Sequence, residues 1–106
     1  RVHALAHVTG GGIAGNLVRV LPEGRRARVR AAAWTRPPLF GWLIEAGRVP
    51  EDDAREALNL GIGMLVVCAP GDCDALARDL QVAGETVVSL GEVVAGERGV
   101  EWVEGR

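Results

Sequence analysis

Three consecutive glycines, Gly10, Gly11 and Gly12, stand between a short apolar segment and an amphipathic one. Glycine lets a backbone approach an anion closely and adopt positive φ angles, and a helix that begins there directs unpaired N–H groups at the same point. The run could therefore bind a phosphate without any lysine. A role in packing alone is an equally good interpretation, because neither the Walker pattern nor the spaced glycines of dinucleotide-binding loops are present.

Polar side chains flank the glycine run on both sides. Two residues separate it from His7, whose imidazole could donate to a phosphate or carbonyl oxygen, or could simply be hydrogen-bonded in the packing. Asn16 and Arg19 follow on one side of the predicted helix, where they face either a ligand or solvent. His3 and His7 are four residues apart, but no nearby carboxylate or thiol completes a metal set, so no metal site is expected.

A second motif begins at Asn59 and continues through Gly61 and Gly63 to Met64. Glycines at this spacing favour a close approach of the backbone where the chain returns to a sheet. The alternative is that Asn59 only stabilises a turn.

Periodicity predicts the elements that position these motifs. Strands are predicted at 4–9, 26–32, 62–69, 86–94 and 100–103, the last two around a turn at 96–99. Helices are predicted at 13–21, after Pro37 and Pro38 up to a cap at Gly47, after Pro50, and after Asp72 up to Gly84. This order predicts one α/β (α+β) domain in which helices pack on a mixed β-sheet.

Two apolar segments carry expectations about burial. The nearly continuous run 62–69, which includes Cys68, is typical of a strand covered on both faces, and the Cys68 thiol is therefore expected to be buried and inert. Leu39, Phe40, Leu43 and Ile44 give the second helix a stripe that is expected to be buried.

Composition excludes several classes of partner. Twelve arginines stand against 14 acidic residues, and a net charge of −2 provides no field that would attract nucleic acid or an anionic membrane. The longest uncharged run is too short to cross a bilayer. Two cysteines are too few for a disulfide framework, so a reducing cytoplasm is expected. The first residues show neither an initiator Met nor a leader, which suggests that the chain begins inside a longer protein.

Taken together, the motifs resemble a known family. His7-Val8-Thr9-Gly10-Gly11-Gly12, Asn16, Arg19-Val20-Leu21-Pro22, Asn59-Leu60-Gly61-Ile62-Gly63-Met64 and Gly91-Glu92-Val93 are similar to the C-terminal part of the phosphoribosylformylglycinamidine cyclo-ligases, or aminoimidazole ribonucleotide synthetases. The resemblance extends along essentially the whole chain. It implies that residues 1–106 are a segment of the C-terminal domain and that an N-terminal ATP-binding domain lies outside them.

The resemblance also implies an activity and site residues. The family uses ATP and Mg²⁺, held mainly by its N-terminal half, to close the imidazole ring of a phosphorylated ribonucleotide in purine synthesis. Thr9, Gly10, Gly11 and Gly12 would contact a phosphate, with the catalytic candidate His7 beside them. Asn16 and Asn59 would shape the cleft. Ala14-Gly15 replaces the acidic or aromatic residue that the family often has there.

Two further expectations follow, and two alternative functions stay open. The segment alone should not catalyse the reaction. It should form a homodimer or a larger oligomer, because an open sheet edge and an apolar face favour self-association. The nearest enzymatic alternatives are a selenophosphate synthetase or a thiamine-phosphate kinase of the same superfamily. A non-catalytic module that binds a small ligand is the alternative from another class.

Overall fold

The computed structural model describes residues 2–104 of the chain. Its elements, in chain order, are β1 (Val2–His7), α1 (Gly12–Leu17), β2 (Arg25–Arg30), α2 (Pro38–Gly47), α3 (Glu51–Ala57), β3 (Met64–Cys68), α4 (Cys73–Val82), β4 (Gly91–Ala95) and β5 (Gly99–Val103). Short 3-10 turns follow α1 at Val18–Val20 and precede α4 at Pro70–Asp72. The predicted α/β class is confirmed, with the strands of residues 2–104 divided between two sheets. None of the helices in this range has the length and apolar character needed to span a membrane.

The first sheet is the antiparallel pair of β1 and β3, in which His7 lies opposite Met64. Side chains alternate across β1 with the two-residue period of a strand. Ala6 faces the core and is buried, whereas its neighbour Leu5 is 57% exposed. His7 shares the outer face with Leu5 and is exposed as well.

The second sheet has β2 at its centre, antiparallel to β4 and parallel to β5. The last two strands are confirmed, although the first of them begins at Gly91 instead of Thr86. They follow each other along the chain but do not pair, because β2 lies between them. Their connector, residues 96–98, crosses the end of β2, where the Gly96 N–H donates to the Gly24 carbonyl (3.0 Å).

The core connects the two sheets through α1. Ile13 is completely buried, and Leu17 and Leu21 continue its apolar face, as the helical periodicity predicts. These side chains pack with the inward residues of β1, β2 and β3. The core cluster comprises Ala6, Val8, Ile13, Leu17, Leu21, Ala27, Val29 and Leu65.

The expectation that the third strand is covered on both faces is wrong for the residues that the structure describes. Leu65 of β3 is 7% exposed, but Met64 and Val66 are 53% and 39% exposed. A continuous apolar run shows that both faces of the strand carry apolar side chains, but it does not show that another element covers the second face.

The buried stripe expected on α2 is also absent from the described structure. No residue of this helix is buried, and Leu39 and Trp42 are 61% and 65% exposed. The helix starts at the prolines as predicted, but its left-handed C-terminal residue is Arg48 (φ 51°) and not Gly47. Periodicity identifies the apolar face of a helix, whereas burial depends on a packing partner.

Candidate functional site

The glycine run forms a tight turn that connects β1 to α1. Gly11 and Gly12 have φ angles of 100° and 71°, in the left-handed region that favours glycine. The Gly12 N–H donates to the Thr9 carbonyl (3.1 Å) and closes the turn. Thr9, Gly10 and Gly11 are exposed. The backbone between strand and helix is therefore accessible from solvent, as a phosphate-binding role requires.

The three glycines differ in what requires them. A Cβ on Gly12 would lie 2.0 Å from the Arg55 carbonyl oxygen in the last turn of α3, so helix packing alone demands glycine there. Gly11 is required by its φ angle. Gly10 has neither constraint, because a Cβ at this position meets no described atom within 4 Å. Packing therefore explains Gly12, whereas the phosphate-binding interpretation of Gly10 stays a prediction.

Asn16 holds the glycine turn in place. Its side chain is buried, and its Nδ2 donates to the carbonyl oxygens of Gly12 (2.7 Å), Thr9 (3.3 Å) and Gly10 (3.3 Å). Its Oδ1 accepts a hydrogen bond from the Thr9 hydroxyl (3.3 Å). All polar atoms of the carboxamide therefore form hydrogen bonds with the glycine turn, and Asn16 stabilises the turn from its buried side. Direct contact between Asn16 and a substrate stays a prediction.

His7 ends β1, on the outer face and exposed to solvent. An exposed side chain does not fit the alternative of a histidine hydrogen-bonded in the packing, and contact of His7 with a ligand stays a prediction. His3 is exposed on the same strand. Within residues 2–104, no group of three or more His, Cys, Asp and Glu side chains is arranged to hold a metal ion.

Asn59 caps a turn. Its Oδ1 accepts a hydrogen bond from the Gly61 N–H (2.8 Å), the stabilising role that sequence analysis left as one alternative. The turn places Leu60 at a φ of 56° with a completely buried side chain. The Leu60 carbonyl accepts a hydrogen bond from Trp34 Nε1 (3.0 Å). Contact of Asn59 with a ligand is not tested by this geometry.

The two motifs meet in space. The Val8 N–H donates to the Gly63 carbonyl (2.9 Å), directly beyond the paired residues His7 and Met64. The glycine turn and the Asn59 turn therefore extend from the same end of the β1–β3 pair. Each motif lies where a strand and a helix connect, as the sequence predicts, but residue spacing contains no signal that the two motifs are neighbours.

Helix α3, which packs against Gly12, is held by a network of ion pairs. The sequence-based expectations did not include this network. The Arg55 guanidinium lies 4.4 Å from the centroid of the Trp102 ring and forms hydrogen bonds with Glu51 and Glu104. The hydrogen bonds that Arg55 donates to Glu104 raise the pKa of Arg55, and those that Glu51 accepts from Arg36 lower the pKa of Glu51. Arg55 is thus already paired and is not free to bind a phosphate. The spacing of Glu51 and Arg55, four residues apart on a helix, was the available signal.

A groove of about 800 Å³ adjoins the Asn59 turn. Residues 61–66 of the second motif and β3 form one wall, α4 forms another, and residues 84–91 close it. The glycine turn is not part of its lining. The groove was not predicted, because its walls come from segments that are distant in sequence.

Comparison with known proteins agrees with the motifs. A family model described as AIR synthase related protein, C-terminal domain, matches residues 1–104. The chain is also similar to a phosphoribosylformylglycinamidine cyclo-ligase from Cupriavidus pinatubonensis, with 46% identity over 92 residues. This alignment covers 87% of the chain but only 26% of the relative. The resemblance inferred from the motifs is confirmed, and the chain belongs to the family of the AIR synthase related protein C-terminal domain.

Proposed function

We propose that this chain is the C-terminal part of a phosphoribosylformylglycinamidine cyclo-ligase that closes the imidazole ring of aminoimidazole ribonucleotide with ATP. The observation that carries the proposal is the hydrogen bond between Val8 and Gly63, because it joins the two motifs that resemble the cyclo-ligases. The name of the relative from Cupriavidus pinatubonensis supports the same activity.

In this proposal the glycine turn is one wall of the substrate cleft. The exposed backbone of Thr9, Gly10 and Gly11 contacts a phosphate of the ribonucleotide or of the nucleotide. Gly12 is buried and its N–H donates to the Thr9 carbonyl, so it shapes the turn, and its own contact with a phosphate stays a prediction. His7 lies beside this phosphate on the outer face of β1. Asn16 positions the turn through its three carbonyl contacts, and Asn59 shapes the second turn.

The proposed reaction requires little covalent chemistry from these residues. Transfer of a phosphoryl group to the formyl oxygen converts it into a good leaving group, and the amidine nitrogen can then close the ring. Such a reaction depends mainly on positioning and on neutralising charge. The residues of this chain would orient the substrate by its phosphate.

ATP and Mg²⁺ are assigned to the part of the protein outside this chain. The resemblance to the cyclo-ligases supports this assignment, because it implies that their N-terminal half holds ATP and Mg²⁺. Among the residues that the structure describes, no group of three or more His, Cys, Asp and Glu side chains is arranged to hold a metal ion. We further propose that an N-terminal ATP-binding domain completes the enzyme. The enzyme would form a homodimer and work in the cytoplasm.

Activity of the natural gene product that carries these residues tests the proposal. With ATP and formylglycinamidine ribonucleotide, we expect ADP release coupled to formation of aminoimidazole ribonucleotide, measured by a linked assay and by mass spectrometry. Residues 1–106 alone should give no product, because the proposal assigns the ATP site to the part of the protein outside them. Turnover with selenide or thiamine phosphate instead would contradict the cyclo-ligase assignment and favour another member of the superfamily.

Replacing Gly10 by alanine tests the phosphate-binding wall. The added methyl group has room in the fold, so the stability should change by no more than about 0.5 kcal/mol. It would, however, stand where a phosphate approaches the backbone, and loss of one hydrogen bond to a charged group should raise the Michaelis constant for the ribonucleotide about tenfold. Steady-state kinetics of the full-length enzyme measures this change.

Gly15→Ala is the matched control for Gly10→Ala. Gly15 lies within α1, and a Cβ there also meets no described atom within 4 Å. The control should keep the wild-type Michaelis constant and gain about 0.5–1 kcal/mol of stability from its higher helix propensity. Equal Michaelis constants for wild type and Gly10→Ala would remove the turn from the binding site.

A further inference from the structure

Two cysteines face each other where β3 is followed by α4. Cys68 ends β3, Cys73 begins α4, and their Sγ atoms are 3.2 Å apart without forming a disulfide. The expectation that Cys68 is fully buried is wrong: Cys68 is half-buried, and Cys73 is exposed. The pair is therefore reachable from solvent through Cys73.

We propose that Cys68 and Cys73 are a redox-sensitive thiol pair that small disulfides convert into an intrachain disulfide. Forming the bond requires the two sulfurs to approach by only roughly 1 Å. The four residues between the cysteines include the 3-10 turn Pro70–Asp72, which already holds the strand end and the helix start together. The fold thus presents the reduced pair in near-bonding geometry.

The chemistry proceeds by thiol–disulfide exchange with a low-molecular-weight disulfide as the oxidant. The Cys73 thiolate attacks one sulfur of this disulfide, forms a mixed disulfide and expels one thiolate, which takes up a proton. Cys68 then loses its proton and attacks the Cys73 sulfur, which expels the second thiolate. The two protein thiols are oxidised by two electrons, and one small disulfide is reduced to two thiols.

Exposure determines which of the two thiols reacts first with the oxidant. Cys73 is exposed and Cys68 is half-buried, so Cys73 meets the oxidant first. The hydrogen bond with Cys73, together with burial, raises the pKa of Cys68, so Cys68 holds its proton until the mixed disulfide has formed. Asp74 follows Cys73 and is exposed, so the oxidant that fits best carries positive charge.

A disulfide here would affect the groove beside the Asn59 turn. Both cysteines line that groove, Cys68 from β3 and Cys73 from α4. A disulfide between them would hold the start of α4 against the end of β3. We therefore expect oxidation to slow amide hydrogen exchange at the N-terminal end of α4.

The test uses the natural gene product that carries these residues, incubated with cystamine, a disulfide with two ammonium groups. Trypsin cleaves after Arg55 and Arg78, so both cysteines fall in the single peptide 56–78. We expect this peptide to become lighter by two hydrogen atoms and to resist N-ethylmaleimide, and we expect cysteamine to reverse both changes. Two alkylated thiols, or cysteamine left on Cys73, would overturn the proposal.

Single substitutions and the unfolded protein provide the controls. Cys68→Ser should stop at the mixed disulfide on Cys73, whereas Cys73→Ser should react much more slowly because Cys68 is half-buried. The ratio of intrachain to mixed disulfide should be about tenfold higher in the folded protein than in urea, because the fold raises the effective concentration of Cys68. An equal ratio in both states would contradict a pair arranged by the fold.

Discussion

Asn16→Asp is expected to destabilise the chain by about 3–5 kcal/mol at neutral pH, since it places an unpaired charge in a buried site. The Asn16 side chain is 5% exposed, and its Nδ2 donates to three carbonyl oxygens of the glycine turn. A carboxylate has no hydrogen to donate and would face these oxygens directly. Urea unfolding, followed by the fluorescence of Trp34 and Trp102, measures the loss.

The penalty of Asn16→Asp should depend on pH. Burial and the facing carbonyls raise the pKa of the introduced carboxyl in the folded state above its unfolded value. The destabilisation is therefore complete above the folded-state pKa and decreases as the pH falls toward the unfolded value, because the protonated group is neutral and can donate one hydrogen bond. A variant that is equally unstable at pH 4 and pH 8 would show that charge is not the cause.

Asn59→Asp is the matched control for Asn16→Asp. The Asn59 side chain uses its Oδ1 to accept the Gly61 N–H, and a carboxylate accepts the same hydrogen bond. The same chemical change should therefore alter the stability by no more than about 0.5 kcal/mol. A large loss at both positions would indicate a general intolerance of added negative charge instead of a specific role for Asn16.

Gly12→Ala is expected to destabilise the chain by about 3–5 kcal/mol, as overpacking of a tight contact does together with an unfavourable backbone angle. The new Cβ would lie 2.0 Å from the Arg55 carbonyl oxygen, and the residue has a φ of 71°. Helix α1 would have to move away from α3, which the ion pair between Arg55 and Glu104 connects to the residue after β5. Urea unfolding and the yield of soluble protein measure the effect.

The control for Gly12→Ala lies three residues further along the same helix. Gly15→Ala adds the same methyl group into open space and should stabilise the chain slightly. The two substitutions are thus expected to have opposite signs. Equal stability of Gly12→Ala and wild type would mean that α1 and α3 can separate at little cost, and that packing does not explain this glycine.

Local sequence was sufficient to predict most of the helices and strands. The prolines before α2, the acidic first turn of α3 and the glycine that ends α4 act within a few residues, so their effects can be predicted without a structure. The apolar face of Ile13, Leu17 and Leu21 was predicted correctly for the same reason. The motifs at His7–Gly12 and Asn59–Met64 were also sufficient to indicate the family, which the comparison with known proteins confirms.

The arrangement of those elements was decided by contacts between distant residues. The insertion of β2 between β4 and β5, and the exposure of α2, depend on which elements meet, and periodicity contains no such information. The same limit applies to the candidate site. The sequence determined that three glycines and an asparagine occur together, but only the tertiary structure showed that Gly12 is required by α3 and that Asn16 holds the turn. Steric exclusion and hydrogen bonding act between atoms that folding brings together, so residue types and spacing alone could not separate these roles.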